Sequence, residues 1–491
     1  MATASARRPG AGRTPNLTDG PITRTLLLFA LPTLGSNVLQ SLNGSINSVW
    51  VGRFLGENAL AATSNANLIM FLMFSLGFGF GIAATVLIGQ SMGARDIVGA
   101  RRALGTTFGL FAIMSLVIAT LGWVSAPALL RALATPVEAA PYALAYLRII
   151  FLAMPPMFLG LLLSMALRGT GDSVTPLRFM IVSVILDAGL NPFLIRGIGP
   201  FPRMGIAGAA TATLIANYVV FIGQLIYIYA KDLPIRLRGP ELAFIKPDLV
   251  LLRAILFKGF PMGLQMLVMT FSGILMIGFV NREGVQVTAA YGVAQQLWTY
   301  IQMPAMAIGT AVSTMVAQNI GANRWDRVER ITQSGVLTLL AVTSAALAVM
   351  LIFDRQAFAL FVGWDSPIIP IARHIQLIAS SSFLLFGISL TLFATTRANG
   401  AVIAPLIIVA FGLVIVRVGL VFVLRPMLGA DAVWYSFPLS SFVTTVIAWA
   451  YYRYGGWRNA HMTTPPTAAE LRDKSAVMME PAGRDHPTAE G

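Results

Sequence analysis

Twelve apolar stretches follow one another along the chain, at residues 22–50, 59–91, 103–125, 141–165, 176–195, 205–229, 252–280, 288–318, 331–352, 371–395, 402–424 and 432–453. Each is long enough to cross a hydrocarbon layer of roughly 30 Å as a helix. In lipid no water is available to the peptide groups, so every N–H and C=O must be satisfied within the segment, and spanning helices are the only outcome open to such a pattern. The expected fold class is an all-α polytopic membrane protein with twelve transmembrane helices. Charged residues make up only 11% of the chain, against about 25% in a soluble domain.

The formal charge of +14 does not point to a nucleic-acid partner, because the basic residues sit in short clusters between the apolar stretches. Taken alternately, the loops on one side collect Arg95, Arg101 and Arg102, then Lys231 through Lys258, then Arg324, Arg327 and Arg330, together with both termini. By the positive-inside rule that side, and therefore each terminus, is cytoplasmic. With no cysteine, disulfides and thiolate chemistry are excluded, and with three histidines a His-built metal site is not expected. The chain carries no H-E-x-x-H, and its G-x-S-x-G run, Gly89 to Gly93, closes an apolar stretch of spanning length and not a strand-to-helix turn, so an enzyme is not expected. No cofactor is expected either.

An internal repeat is visible. The run from Gly89 to Arg95 corresponds to that from Ala317 to Asn323 at an offset of 228, and Arg168, Gly171 and Pro176 correspond to Arg397, Gly400 and Pro405 at 229. Six helices per copy, an even number, give both copies one orientation, hence two pseudo-symmetric six-helix bundles with a cavity between them. The expected organisation is a disordered N-terminus over 1–20, lobes over 21–229 and 251–455, a charged connector over 230–250, and a disordered tail over 456–491.

Asp187 lies nine residues from Arg178 and nine from Arg196, about 13 Å from either along a helix and close to mid-membrane. A carboxylate at that depth costs about 2.5–3.5 kcal/mol, so it needs partners, water or a proton. Asn191, one turn on, shares its face. The first helix carries Asn37, Gln40, Asn43 and Asn47 at spacings of three and four, a stripe that must face protein or water. Asn47 and Asn191 sit at similar depth, six and five residues before an arginine. An acid among amide oxygens can hold a proton or a small hard cation such as Na⁺, or these groups can simply tie helices together. In the second half, Gln265, Met269, Gln295 and Trp298 are candidate cavity residues for bulky apolar or cationic ligands. Arg417 can either snorkel outward or face the cavity. Pro32, early in the first helix, is a candidate hinge.

Phe29-Ala30-Leu31-Pro32, Val51-Gly52-Arg53 with Leu60-Ala61-Ala62, the run from Leu167 to Asp172 with Thr175-Pro176, and the run from Gly205 to Ala210 together resemble the multidrug and toxic compound extrusion (MATE) family. The resemblance covers residues 21–455. It implies alternating access through a central cavity, in a bacterial cytoplasmic (inner) membrane, with organic cations or other amphipathic compounds exported in exchange for H⁺ or Na⁺. Family members similar to this one carry an acid in the first helix before V-G-R and an N-x-x-x-D-P motif in the fifth. Here those positions hold Asn47, Asp187, Asn191 and Pro192, so the first acid is an amide and the second pair is transposed. The family's cation-site threonine corresponds to Thr213. The implied coupling set is therefore Asp187, Asn191, Asn47 and Thr213, with one ion per cycle, in a chain expected to act as a monomer. A lipid-linked precursor flippase and a non-transporting receptor are the alternatives.

Overall fold

A computed structural model describes residues 17–132, 135 and 137–463. The spanning helices are α1 (Ile22–Leu55), α2 (Glu57–Gly93), α3 (Ile97–Ala132), α4 (Ala140–Gly169), α5 (Val174–Arg196) and α6 (Ile206–Ala230). The second set is α7 (Leu249–Val280), α8 (Val285–Gly321), α9 (Trp325–Ile352), a broken α10 (Ile368–Ala379 and Ser382–Ala398), α11 (Ile403–Leu428) and α12 (Asp431–Tyr454). Ten of these are long and apolar enough to cross a membrane, and the two pieces of α10 make an eleventh. The remaining one, α8, runs 37 residues but carries glutamines at 295, 296, 302 and 318. It tolerates them because Gln318 is buried and Gln295, Gln296 and Gln302 border a cavity.

Two expected continuous helices are interrupted. The stretch 371–395 bends by 42° between Ala379 and Ser382, where the Ser382 hydroxyl donates back to the Ala379 carbonyl at 2.6 Å. Within α11 the residues Phe411–Val416 form a π-helical turn, which accommodates one residue more than an α-helical turn of the same rise. A short helix, Asp354–Val362, precedes α10 and is held by an ion pair from Arg373 to Asp354 at 2.8 Å.

The repeat is conformational as well as sequential. Arg95 and Asn323, 228 apart, both take left-handed backbone at φ 60° and 56°, and Gly171 and Gly400, 229 apart, at φ 99° and 92°. The first six helices pack mainly on one another, with α4 as their buried core; in the second set α9 and α10 pack on α8, and α12 on α10 and α11, while α7 lies chiefly against α2. Between the two sets α2 lies against α7 and α8, and α1 against α8. Close approach explains the glycines there. A Cβ on Gly93 would stand 1.8 Å from the Gln318 carbonyl oxygen, and one on Gly321 would stand 1.9 Å from that of Gln90. The same two glutamines reach across reciprocally, Gln90 Nε2 to the Ala398 carbonyl at 2.7 Å and Gln318 Nε2 to that of Gly169 at 3.0 Å.

The ends of the chain differ from the disorder expected for 1–20 and 456–491. Residues 1–16 and 464–491 lie outside the described residues, but 17–20 and 456–463 are packed. Leu17 is buried, with its carbonyl accepting from Asn319, and Asp19 pairs with Arg324 at 2.6 Å. Trp457 is buried against Tyr452, with ring centroids 5.3 Å apart. Each segment buries an apolar side chain that a polar composition had masked. The charged connector is also held down, since Arg101 pairs with Glu241 at 2.7 Å and Arg102 with Asp248 at 2.5 Å, strapping it to α3.

Candidate functional site

Helix α5 carries an apolar exterior and a single polar face, and Asp187 and Asn191 are turned inward on that face, both buried. Donors from two neighbouring helices converge on the carboxylate. Asn43 of α1 donates its Nδ2 to Asp187 Oδ2 at 2.8 Å, and Thr213 of α6 donates its hydroxyl to Oδ1 at 3.1 Å. Asn191 of α5 itself gives its Nδ2 to the Asp187 carbonyl at 2.8 Å and to Oδ1 at 3.3 Å. Hydrogen bonds to a charged acceptor contribute about 1.5–3 kcal/mol each, enough together to offset the cost of holding an anion at this depth.

Two of the expected residues, Asn47 and Asn43, fall into place differently from their assignments. Asp187, Asn191 and Thr213, given as members of one coupling set, form one cluster. Asn47 does not reach Asp187. It lies one turn further along α1, beside the buried phenol of Tyr146 on α4, and its Oδ1 has no partner among the described residues. Asn43, assigned from sequence to the substrate cavity, is instead the residue that bonds Asp187. The two helices run parallel, so residues 144 apart face each other: Asn47 is level with Asn191, and Asn43 with Asp187. Tyr146 went unnoticed because nothing in the α4 sequence separates one buried phenol from the aromatics around it.

One buried acceptor at the cluster, Asn191 Oδ1, also has no partner among the described residues. Buried polar atoms in native proteins nearly always have partners. An orphaned carbonyl oxygen beside a carboxylate is where an acid proton or a small cation would be received. The residues present thus fit either ion, although every polar hydrogen now aimed at the carboxylate is a donor, an arrangement that repels a metal cation until both amides turn over.

Two cavities with lining residues in common border the second half. One, of about 160 Å³, lies between the halves, with Gln265, Met266, Met269, Arg168 and Arg397 among its lining. The other, of about 460 Å³, lies among α7, α8, α10, α11 and α12 and is bordered by Gln295, Trp298, Phe437 and Arg417. Met269, Gln302, Phe383 and Phe386 border both. All five second-half cavity candidates, Gln265, Met269, Gln295, Trp298 and Arg417, therefore line this space. Asn37 and Gln40 do not border it: Asn37 is half-buried and Gln40 exposed on α1. Arg397, noted in the sequence only as the repeat partner of Arg168, borders the cavity and donates to Gln265 Oε1 at 3.0 Å, and Trp298 donates to Gln376 at 2.5 Å. Arg417 does not snorkel. It is buried, bonded to the hydroxyls of Ser440 and Ser272, with its guanidinium 4.6 Å over the Phe437 ring. Pro32 sits within an unbroken α1, where the Pro32 carbonyl accepts from the Ser36 hydroxyl at 3.0 Å.

The MatE family model matches residues 32–193 and again 261–423, one copy in each half and displaced by the repeat offset. The chain is 35% identical to the probable multidrug resistance protein YoeA of Bacillus subtilis over 442 residues, which is 90% of this chain and 95% of the relative. It is 29% identical to the probable multidrug resistance protein YpnP of the same organism, over 91% of this chain and 99% of the relative. Among solved structures, one described as the outward-facing conformation of a multidrug resistance MATE family transporter of the MOP superfamily superposes with a TM-score of 0.81. That match is at 20% identity over 89% of this chain and 96% of that one, a likeness of fold. With the family model recurring in both halves and a relative above 30% identity along nearly the full length, the chain belongs to the MATE family of multidrug efflux transporters, which are not enzymes.

Proposed function

We propose that this transporter exports amphipathic small molecules across a bacterial cytoplasmic membrane by alternating access, in exchange for one cation per cycle taken up at Asp187, with H⁺ preferred to Na⁺. The observation that carries the coupling step is the carboxylate itself, buried in the membrane and held by donors from α1 and α6. Both termini are cytoplasmic in this reading, and the chain acts as a monomer.

Protonation replaces an anion that accepts three side-chain donors with a neutral acid that must donate. Asn191 Oδ1, which has no partner among the described residues, accepts that proton in this reading once its amide, whose Nδ2 now faces the carboxylate, turns over. The charge-assisted bonds from Asn43 and Thr213 weaken together, loosening α1 and α6 from α5. Turning a 1:99 population into 99:1 takes about 5.5 kcal/mol, and two such bonds at about 1.5–3 kcal/mol each are of that order. Bending of α1 near Pro32 is where the released freedom would be used. H⁺ is preferred because the cluster offers one carboxylate and presents N–H and O–H groups to it, whereas Na⁺ needs several oxygens turned inward.

Relatives named for multidrug resistance or export support small-molecule efflux over the flippase and receptor alternatives. Proteoliposomes carrying a fluorescent amphiphile, with pH and Na⁺ gradients imposed separately, test the proposal. Efflux should follow the pH gradient and be lost in Asp187→Asn. Wild-type rates in that variant would remove Asp187 from the mechanism, and efflux that follows only the Na⁺ gradient would replace the proton by sodium.

A further inference from the structure

Counting from one half to the other places Arg417 opposite Asp187. Their separation is 417 − 187 = 230, one more than the 229 that relates Arg168 to Arg397 and Pro176 to Pro405. The additional residue is absorbed by the π-helical turn Phe411–Val416 immediately before Arg417, as expected where one residue is inserted into a helix. The partners repeat too. Asn43, which bonds Asp187 from α1, has Ser272 of α7 as its counterpart (272 − 43 = 229), and Ser272 lies 3.5 Å from Arg417 Nη1. The part that Thr213 plays for Asp187 from α6 is taken on the corresponding helix α12 by Ser440, whose hydroxyl accepts from Arg417 Nε at 3.0 Å, while the position in register with Thr213 (429 − 205 = 224 for the glycines that open the two helices) holds Phe437, the ring beneath the guanidinium. The second half thus brings the three corresponding helices around a central charge of opposite sign.

Arg417 is 9% exposed, and among the described residues no carboxylate pairs with it. Its fixed partners are two neutral hydroxyls and the face of Phe437. A guanidinium presents five donors in a planar fork suited to a carboxylate, and with two nitrogens engaged its Nη2 has no partner among the described residues. It borders the 460 Å³ cavity together with Tyr291, Trp298 and Gln295, far more room than an inorganic anion fills and walled by aromatic rings. We infer that this cavity binds the anionic group of the substrate at Arg417 and its aromatic body against Trp298 and Phe437, so that the preferred cargo is an aromatic amphiphile bearing a carboxylate, zwitterionic or anionic, in preference to a purely cationic one. This names the substrate class of the export reading and rests on that reading only for the direction of transport.

Equilibrium fluorescence polarisation on the purified full chain in detergent, with no ion gradient, tests it using rhodamine B and its ethyl ester, which differ in the free carboxyl group. The wild type should bind the free acid about tenfold or more tightly than the ester, the size of one charge-assisted hydrogen bond. Arg417→Gln should bring the two affinities together by weakening the acid alone, and Arg417→Lys should keep the order. Gln295→Glu, which adds a carboxylate to the same cavity, should reverse the order, and it decides the matter if Arg417→Gln is not monodisperse. Equal wild-type affinities, tighter ester binding, or an acid preference that survives Arg417→Gln would overturn the inference, as would equal loss of both dyes in a well-folded Arg417→Gln. Because the ratio is read without a gradient, a flat ratio leaves proton coupling at Asp187 standing, and a failure of coupling leaves the ratio intact.

Discussion

Asn43 and Asn47 are the same amide one helical turn apart on α1, yet only Asn43 bonds the membrane-embedded acid. The difference gives a sharp expectation for single substitutions. Asn43→Ala removes a bond to a charged group worth about 1.5–3 kcal/mol, and should slow gradient-driven efflux by about ten- to a hundredfold. Asn47→Ala, whose amide neighbours Tyr146 and not the carboxylate, should change the rate by much less. Initial rates of dye efflux from proteoliposomes at a fixed pH gradient compare the two directly, and equal losses would mean that the cluster is not organised as described. Thr213→Val belongs with Asn43→Ala, since it removes the donor from α6 while keeping the side-chain shape.

Two helical details carry consequences at the level of elements. The π-helical turn in α11 absorbs one additional residue without turning Arg417, so deleting Ile415, which faces outward, should restore α-helical spacing and leave Arg417 facing Ser272 and Ser440. The measurable result is a free-acid preference in the rhodamine B comparison that survives the deletion. The close crossing of α2 and α8 makes the second expectation. Gly93→Ala places a methyl 1.8 Å from a backbone oxygen, an overlap that only a shift of the two helices can relieve, and overpacking of this kind costs about 1–3 kcal/mol or more. Gly44→Ala in α1 meets nothing within 4 Å and should instead stabilise by about 0.5–1 kcal/mol through helix propensity. Thermal unfolding in detergent should therefore move in opposite directions for the two variants.

Across the whole molecule, the halves meet at the basic end through the reciprocal Gln90 and Gln318 bonds, and the connector is strapped to α3 by Arg101 and Arg102. Arg101 holds the Glu241 carboxyl below its ordinary range, chiefly through their hydrogen bond. A depressed acid stabilises the fold above its unfolded pKa and loses that contribution as pH falls through the folded one. The melting temperature should therefore drop on acidification below the usual glutamate range, and Glu241→Gln should remove that part of the drop while leaving the neutral-pH profile flat. Much of this architecture was legible beforehand. The spans follow from the hydrocarbon layer's demand for internally bonded backbone, the repeat from counting, and the importance of Asp187 from the cost of a charge at mid-membrane. Composition misled at the termini, where a single buried side chain, Leu17 or Trp457, outweighed polar neighbours. Which amide meets Asp187 was decided by the register of two parallel helices, and the opposition of Arg417 to Asp187 by one residue absorbed in a π turn. Period and spacing describe each helix about its own axis, whereas the site depends on how neighbouring helices are rotated and offset against each other, and only packing fixes that.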